Sequence, residues 1–341
     1  MEMPCVSVVI VNWNGRDYLK ECLNSLRRQT WKEFEIILVE NGSTDGSVEY
    51  VEENFPGWVR MLANERNEGF SGGNNRGIRA ASGEYIVLLN NDARADPRWL
   101  EELVKAAEEN PRAGMLACKI YLEGDSKIID NVGHLMYRDG LNRGRGRLEE
   151  DRGQYEKIEE VFFPSGCAAL YRRKMLDEVG LFDEDFFAYG DDTDLGLKGR
   201  LAGWKCLYVP KAVVHHRYSQ SSGAYSALKA FYVERNRVWI AVKYFPLTLL
   251  LESPFFTLLR FALQGYGVLV RRGAAGRFSE AYSPGKLLEI LLKAYLAAFR
   301  GLPGMWKKRR EIKRRTRVSE GEIRSWFRRF GMSPREISWK D

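Results

Sequence analysis

Tyr85-Ile-Val-Leu-Leu-Asn-Asn-Asp-Ala93 is the stretch whose reading decides the fold. Tyr85 to Leu89 run apolar without alternation, then give way to two amides and a carboxylate, Asn90, Asn91 and Asp92. A short unbroken apolar run of this kind reads as a strand buried on both faces, the usual state of a central strand in a parallel sheet. The carboxyl end of such a strand opens into the crevice where open α/β sheets bind ligands. Two readings of the polar residues stand side by side. They are an Asx-type turn that ends the strand, or an oxygen-rich turn that holds a hard divalent cation, and through it a diphosphate.

Working outward, the segments on either side repeat strand and helix. Val6–Asn12 is a strand rich in β-branched residues, followed by a turn at Asn12-Trp-Asn-Gly15 and a helix over Arg16–Gln29. Phe34–Val39 is a second strand. It runs into the turn Glu40-Asn-Gly-Ser-Thr-Asp-Gly46 and a helix from Ser47. Val59–Leu62 is a short third strand, Asn67–Asn75 a Gly/Asn-rich loop, Asn75–Ala81 a helix, and Trp99–Glu109 another. Such alternation predicts an α/β domain with a mostly parallel sheet and right-handed crossovers. The pattern loosens from Met115 to Val161, and Arg138–Arg152 reads as a long loop of the kind that covers active sites or is disordered. Beyond it, Arg172–Val179 and Leu195–Ala202 read as helices, and Lys205–Val209 as a short strand that Pro210 ends. Tyr218–Tyr225 reads as a Ser/Tyr/Gly loop.

With 341 residues, 45% of them hydrophobic and 12% aromatic, the chain is globular, with one large or two modest domains. The net charge of +7 is unevenly spread. Residues 307–341 carry thirteen Lys/Arg against five Asp/Glu, a surplus of eight, so the remaining residues sum to −1. Five scattered cysteines without a Cys-x-x-Cys pair fit reduced thiols rather than a disulfide framework or a zinc site. No signal peptide is expected from the first residues. The apolar stretch Tyr244–Val270 is broken by Pro246, Glu252, Pro254, Arg260 and Gln264, so a transmembrane span is not expected. Lys286–Phe299 has the periodicity of an amphipathic helix, and Lys307–Arg315 follows as a basic cluster. That pair reads as contact with an anionic membrane surface, or else as a helical hairpin packed on the first domain. Nucleic acid is not expected, because no base-reading motif accompanies the cluster.

Two further features carry chemistry. Tyr189-Gly-Asp-Asp-Thr-Asp-Leu195 is an acidic knot, and His215-His216 follows a strand. Taken singly, the acids are helix-capping residues and the histidines structural. Together with Asp92 they supply two carboxylates and an imidazole, enough for a metal site and a base.

Val6–Asn12, Glu40–Ser47, Asn67-Glu-Gly-Phe70 with Asn75-Arg-Gly77, Leu89-Asn-Asn-Asp92, Gly180–Leu195 and Pro210–His216 with Arg235-Asn236 resemble the inverting family 2 glycosyltransferases. Within them they are most like the rhamnosyltransferase-like enzymes of polysaccharide assembly. The resemblance covers residues 5–245 and implies a nucleotide-diphospho-sugar transferase (GT-A type) fold with Mn2+ or Mg2+ as cofactor. It implies a catalytic domain over residues 1–243; residues 244–341, by their own periodicity and charge, read as a helical, amphipathic, membrane-associating extension. It makes Asp192 the catalytic base, with Asp191 beside it. Asp92 and His216 become metal ligands, and Asn12, Glu40, Asn67, Gly69 and Asn91 donor-binding residues; Arg235 is a secondary candidate. Glu40 and Asn90 depart from the family's usual Asp at their positions. The implied partners are a nucleoside-diphosphate sugar and a lipid-linked saccharide acceptor. The implied location is cytoplasmic, peripheral on the inner face of the cell membrane. Two rivals remain: a membrane-associated nucleotide-sugar-binding protein without turnover, and a sugar nucleotidyltransferase, for which Asn12-Trp-Asn-Gly-Arg16 is a poor phosphate loop.

Overall fold

The strands and helices alternate in the computed structural model as the apolar runs predict. It describes residues 5–124, 127–217, 226–269, 273–333 and 336–337. The strands are β1 (Val6–Asn12), β2 (Phe34–Glu40), β3 (Arg60–Ala63), β4 (Tyr85–Leu89), β5 (Ala93–Ala95), β6 (Ala113–Leu122), β7 (Ile129–Asn131), β8 (His134–Met136), β9 (Asn142–Gly144), β10 (Glu159–Val161), β11 (Ala168–Arg172) and β12 (Lys205–His216). The helices are α1 (Arg16–Arg27), α2 (Ser47–Asn54), α3 (Gly69–Ala80), α4 (Trp99–Glu109), α5 (Arg173–Val179), α6 (Asp191–Leu201), α7 (Ala227–Tyr244), α8 (Leu247–Leu269), α9 (Gly273–Ala281), α10 (Pro284–Arg315) and α11 (Glu320–Arg329). By packing, the chain divides into two units. The first is Met1–Gly133, Gly144–Arg200 and Trp204–Ser221; the second is His134–Arg143, Leu201–Gly203 and Ser222–Asp341.

The first unit is an α/β domain. Its sheet runs β10-β12-β6-β11-β4-β1-β2-β3, with β5 paired to β12 and β7 to β6. The longest ladders, β12 with β6 and β1 with β2, are parallel, as are β1–β4 and β2–β3; β11 runs antiparallel between β4 and β6. All of β4 is buried, as its unbroken apolar run requires. The turns after β2 and β4 leave strands that are not neighbours, because β1 lies between them. β12 does not stop at Pro210: it continues to His216 through an irregularity between Val209 and Val213. A bulge absorbs a proline that would otherwise end a strand.

The largest local difference from expectation is α3, which begins at Gly69 inside the predicted loop. Glycine is a poor helix former, but tertiary packing outweighs that cost here. A side chain at Gly77 would collide with Val9 of β1, so its absence lets the helix lie directly on the sheet. Arg138–Arg152 is also not a loop throughout. β8 pairs with β9, and the Tyr137 amide donates to the Leu141 carbonyl at 2.7 Å across a tight turn. The predicted loop at residues 218–225 lies outside the described residues.

The second unit is helical. α7 precedes the sequence-based division at residue 243 yet packs with α10, its Trp239 indole donating to the Ala298 carbonyl at 3.0 Å. A buried ionic network joins the β8–β9 turn to the helices. Arg260 donates to Asp139 at 2.7 Å and to Glu234 at 3.0 Å, and Arg237 donates to Glu234 at 2.7 Å. Each buried charge here has a partner of opposite sign, the condition under which charges are tolerated in a core. No described helix is long and apolar enough to cross a membrane.

Candidate active site

Three parallel strands, β2, β1 and β4, deliver polar side chains at their carboxyl ends. Asn12 ends β1 fully buried and ties the other two together. Its amide donates to Glu40 at 2.8 Å, and its carbonyl oxygen accepts from the Asn91 amide at 2.7 Å. The second Glu40 oxygen accepts from the Ser43 backbone at 3.0 Å, which sets the turn after β2. A carboxylate has about four acceptor positions, so Glu40 keeps acceptor capacity beyond these two bonds. Asn67 and Gly69 are held by Asn41, whose amide donates to the Asn67 side chain at 3.0 Å and to the Gly69 carbonyl at 3.1 Å. Gly69 has φ +72, and a Cβ there would overlap the Phe187 carbonyl, so this position takes only glycine without strain.

Asp92 and His216 meet at the ends of β4 and β12. His216 Nε2 lies 3.3 Å from Asp92 Oδ1, and Nδ1 lies 2.8 Å from Asp130 Oδ2; all three side chains are buried. Arg147 in turn pairs with the other Asp130 oxygen. Asp92 Oδ1 is buried with no hydrogen bond among the described residues, despite its closeness to the imidazole. Burial on its own would depress the His216 imidazole. The neighbouring Cys167, the bond to Asp130 and the nearby Asp92 carboxylate outweigh that and hold it well above its usual range. Burial also pushes the Cys167 thiol up, so the two carboxylates are the charges that matter at this ring. His215 faces the other way and pairs with Asp96 at 3.2 Å, as strand alternation dictates.

These residues fit a divalent cation held partly by the protein. An unsatisfied buried carboxylate oxygen and an imidazole nitrogen converge, and Asp130 occupies the other ring nitrogen, fixing which nitrogen faces Asp92. Among the described residues no three His, Cys, Asp or Glu side chains form a ready-made metal cluster. A cation held here would need diphosphate oxygens and water to complete its shell, which is how Mg2+ is commonly bound.

Asp192 is linked to the end of β4 through the segment that precedes β11. The Asn90 amide donates to the Cys167 carbonyl at 2.8 Å, and the preceding Gly166 amide donates to Asp192 at 3.3 Å. Asp191 and Asp192 both lie in the first turn of α6, where the helix dipole favours negative charge. Their environments differ. Asp191 is fully enclosed, and burial first, then the charge of Asp192, raises its carboxyl well above the usual range. Asp192 is only partly covered and accepts from the Thr193 amide at 2.7 Å. Asp192 is thus the more accessible of the two carboxylates. Phe187, just before this knot, has φ 64 and ψ −62, and the Ala188 amide donates to the Phe186 carbonyl at 2.8 Å. This is the rare, strained γ-turn, and residues in such regions cost about 1–3 kcal/mol. It aims the Phe187 carbonyl at the Ser71 amide of α3, 3.2 Å away. Asn75 braces the same segment by bonding both the amide and the carbonyl of Phe182.

The structure thus groups Asn12, Glu40 and Asn91, links Asn67 to Gly69, pairs Asp92 with His216, and holds Asp192 against the Gly166 amide. Arg235 belongs to the second unit, where its guanidinium stacks 4.1 Å from the Trp239 ring. The residue that sequence reasoning missed is Asp130. A single acid in a loosely patterned region gives no periodic or motif signal.

Comparison with known proteins follows the same lines. The mycobacterial N-acetylglucosaminyl-diphospho-decaprenol L-rhamnosyltransferase of Mycobacterium tuberculosis is 30% identical over 239 residues, covering 63% of this chain and 77% of the relative. A mannosyltransferase from Pyrobaculum calidifontis, solved with GDP-Man and Mn2+, superposes with a TM-score of 0.54 at 17% identity, covering 92% of this chain and 86% of that one. The structure of GalNAc-T7 with UDP, GalNAc and Mn2+ gives a TM-score of 0.57 at 20% identity, covering 72% of this chain and 48% of the other. At these identities the two structures speak for the GT-A type fold alone. A sequence model described as glycosyl transferase family 2 matches residues 7–180. With over half of its length matched in this way, and with a rhamnosyltransferase among its relatives, the protein belongs to glycosyl transferase family 2.

Proposed function

We propose that this enzyme moves a sugar from a nucleoside-diphosphate donor to a hydroxyl of a lipid-linked or polysaccharide acceptor, inverting the anomeric centre in one displacement. The observation that carries this reading is the convergence of Asp92 Oδ1 and His216 Nε2, 3.3 Å apart, with Asp192 linked to the end of β4 through the segment that precedes β11. Asp92 and His216 would hold Mn2+ or Mg2+, which as a Lewis acid offsets the charge that bond cleavage leaves on the diphosphate. Asn12 keeps Glu40 and Asn91 in register along the donor side of the crevice, and the Asn41-braced Asn67–Gly69 segment lines it. Asp192 accepts the proton of the attacking hydroxyl, a contribution of about 10²–10⁴-fold. A retaining double displacement needs a carboxylate nucleophile on the opposite sugar face, and no residue of the site claims that role.

Rhamnose is the sugar that the similar mycobacterial protein is named for moving, and N-acetylglucosaminyl-diphospho-decaprenol the acceptor in that name. Both support a role in building cell-envelope polysaccharide. A lipid-linked acceptor puts the enzyme at an anionic membrane surface, peripheral on the inner face of the cell membrane, reached through residues 244–341. The test is transfer from a panel of radiolabelled nucleoside-diphosphate sugars to a detergent-solubilised polyprenol-diphosphate saccharide, with Mn2+ and with EDTA. Transfer that needs Mn2+ and is lost in Asp192→Asn supports the reading. Donor binding with no turnover on any acceptor makes the protein a binding module instead.

A further inference from the structure

The second unit turns one of its helices inside out. On α8, Leu247, Leu251, Phe255 and Leu258 recur at the spacing of one helix face, and that face is outward. Leu251 is 80% exposed, Leu258 69% and Phe255 65%. The opposite face carries Ser253, Thr257, Arg260 and Gln264. It is turned inward, with Arg260 buried against Asp139 and Glu234. A helix in water does the reverse. Of the breakers that made this stretch look unsuited to a membrane, Arg260 lies buried on the protein-facing side, while Pro254 is exposed and Glu252 is half-exposed.

α10 repeats the feature. Leu288, Leu292, Leu296 and Phe299 are exposed on one face, with Leu292 and Phe299 each at 62%. The same face runs on through exposed Trp306 into exposed Arg310 and Arg314. Its flanking acid, Glu289, is neutralised by Lys286 at 3.0 Å and Lys293 at 2.6 Å. On α8, Glu252 lies 3.9 Å from Arg138 and 3.7 Å from Arg324.

We infer that these outward faces of α8 and α10 are the surface that docks onto an anionic lipid bilayer. This deepens the membrane reading proposed above and rests on it. Contiguous exposed apolar faces mark interaction sites. An apolar stripe that passes through an interfacial tryptophan into cations matches the acyl, boundary and headgroup layers of an anionic leaflet. Since neither helix is fit to cross a membrane, both lie along the interface. The buried ionic network holds the polar side of α8 away from lipid, as ionisable groups at membranes are held.

The test uses the full-length protein and co-sedimentation with phosphatidylcholine vesicles, with and without phosphatidylglycerol. Wild type is expected to pellet with the anionic vesicles only. The triple variant Leu251→Gln, Phe255→Gln, Leu258→Gln should lose more than about tenfold in partitioning. A second triple, Lys307→Gln, Arg310→Gln, Arg314→Gln, should lose about a hundredfold, each cation being worth about fivefold. The altered side chains are exposed, so the melting temperature should hold. If the apolar triple does not fold, the charge triple decides. Wild type that stays in the supernatant, or triples that pellet like wild type, overturns the inference. So does a wild-type dimer that the apolar triple dissolves, which gives the face to a second copy. Transfer to a detergent-solubilised acceptor is measured in parallel. If it persists while vesicle binding is absent, the docking surface fails and the enzymatic reading stands.

Discussion

Asp130→Asn is the change that most directly tests how the proposed metal-holding pair, Asp92 and His216, is built. The His216 Nδ1 to Asp130 distance of 2.8 Å is that of a charge-assisted bond, and Arg147 occupies the other carboxylate oxygen. Asparagine keeps the shape but offers one acceptor where aspartate offers two. If its carbonyl faces His216, its amide confronts Arg147, donor against donor. If it flips, the imidazole loses its acceptor instead. Either way His216 is no longer fixed with Nε2 toward Asp92. Changes to such orienting partners typically weaken metal affinity by 10–100-fold, or about 1.4–2.8 kcal/mol. The assay is Mn2+ titration followed by the electron paramagnetic resonance signal of free Mn2+, with a nucleoside diphosphate present, and His216→Ala as reference. Asp130→Asn should fall between wild type and that reference. A folded Asp130→Asn protein whose Mn2+ affinity stays within about twofold of wild type refutes the orienting role.

Other outcomes follow from the same geometry. Asp192→Asn should lower turnover about 10²–10⁴-fold with donor affinity nearly unchanged, read from kcat against KM; parallel loss of donor binding would point to a structural role. Asn75→Ala removes the partner of both Phe182 backbone groups and should cost about 1–3 kcal/mol in chemical denaturation, with no change if solvent replaces those bonds. Glu234→Gln leaves buried Arg260 and Arg237 short of charge and should cost about 3–5 kcal/mol. The same residue sets a pH response. Arg260 and Arg237 overcome burial and bring the Glu234 carboxyl down to about 2 from 4.5. Its stabilisation is therefore complete above pH 4.5 and lost as pH falls toward 2, amounting to about 3 kcal/mol. The acid sensitivity of melting in that window should be weaker in Glu234→Gln; identical profiles would remove Glu234 as its source.

The sequence by itself determined the repeating strands and helices of the first unit, because apolar runs of strand length separated by turn residues leave few other folds. It also marked Asp92, Asp192 and His216, since polar residues that break buried strands or open helices are conspicuous in a one-dimensional pattern; Asn12 and Glu40 entered through the family resemblance. Tertiary structure decided what that pattern could not hold. Gly69–Ala80 is helical because Gly77 lies against Val9, a contact across the chain that outweighs the local preference of its glycines. Asp130 orients His216 from 86 positions away, and no local periodicity records such a pairing. The arginine that interrupts α8 reads as an obstacle to a membrane until its partners, Asp139 and Glu234, are placed on the inner side of the helix. Whether a charge is an obstacle or a buried partner depends on what faces it, and only the folded chain supplies the second group.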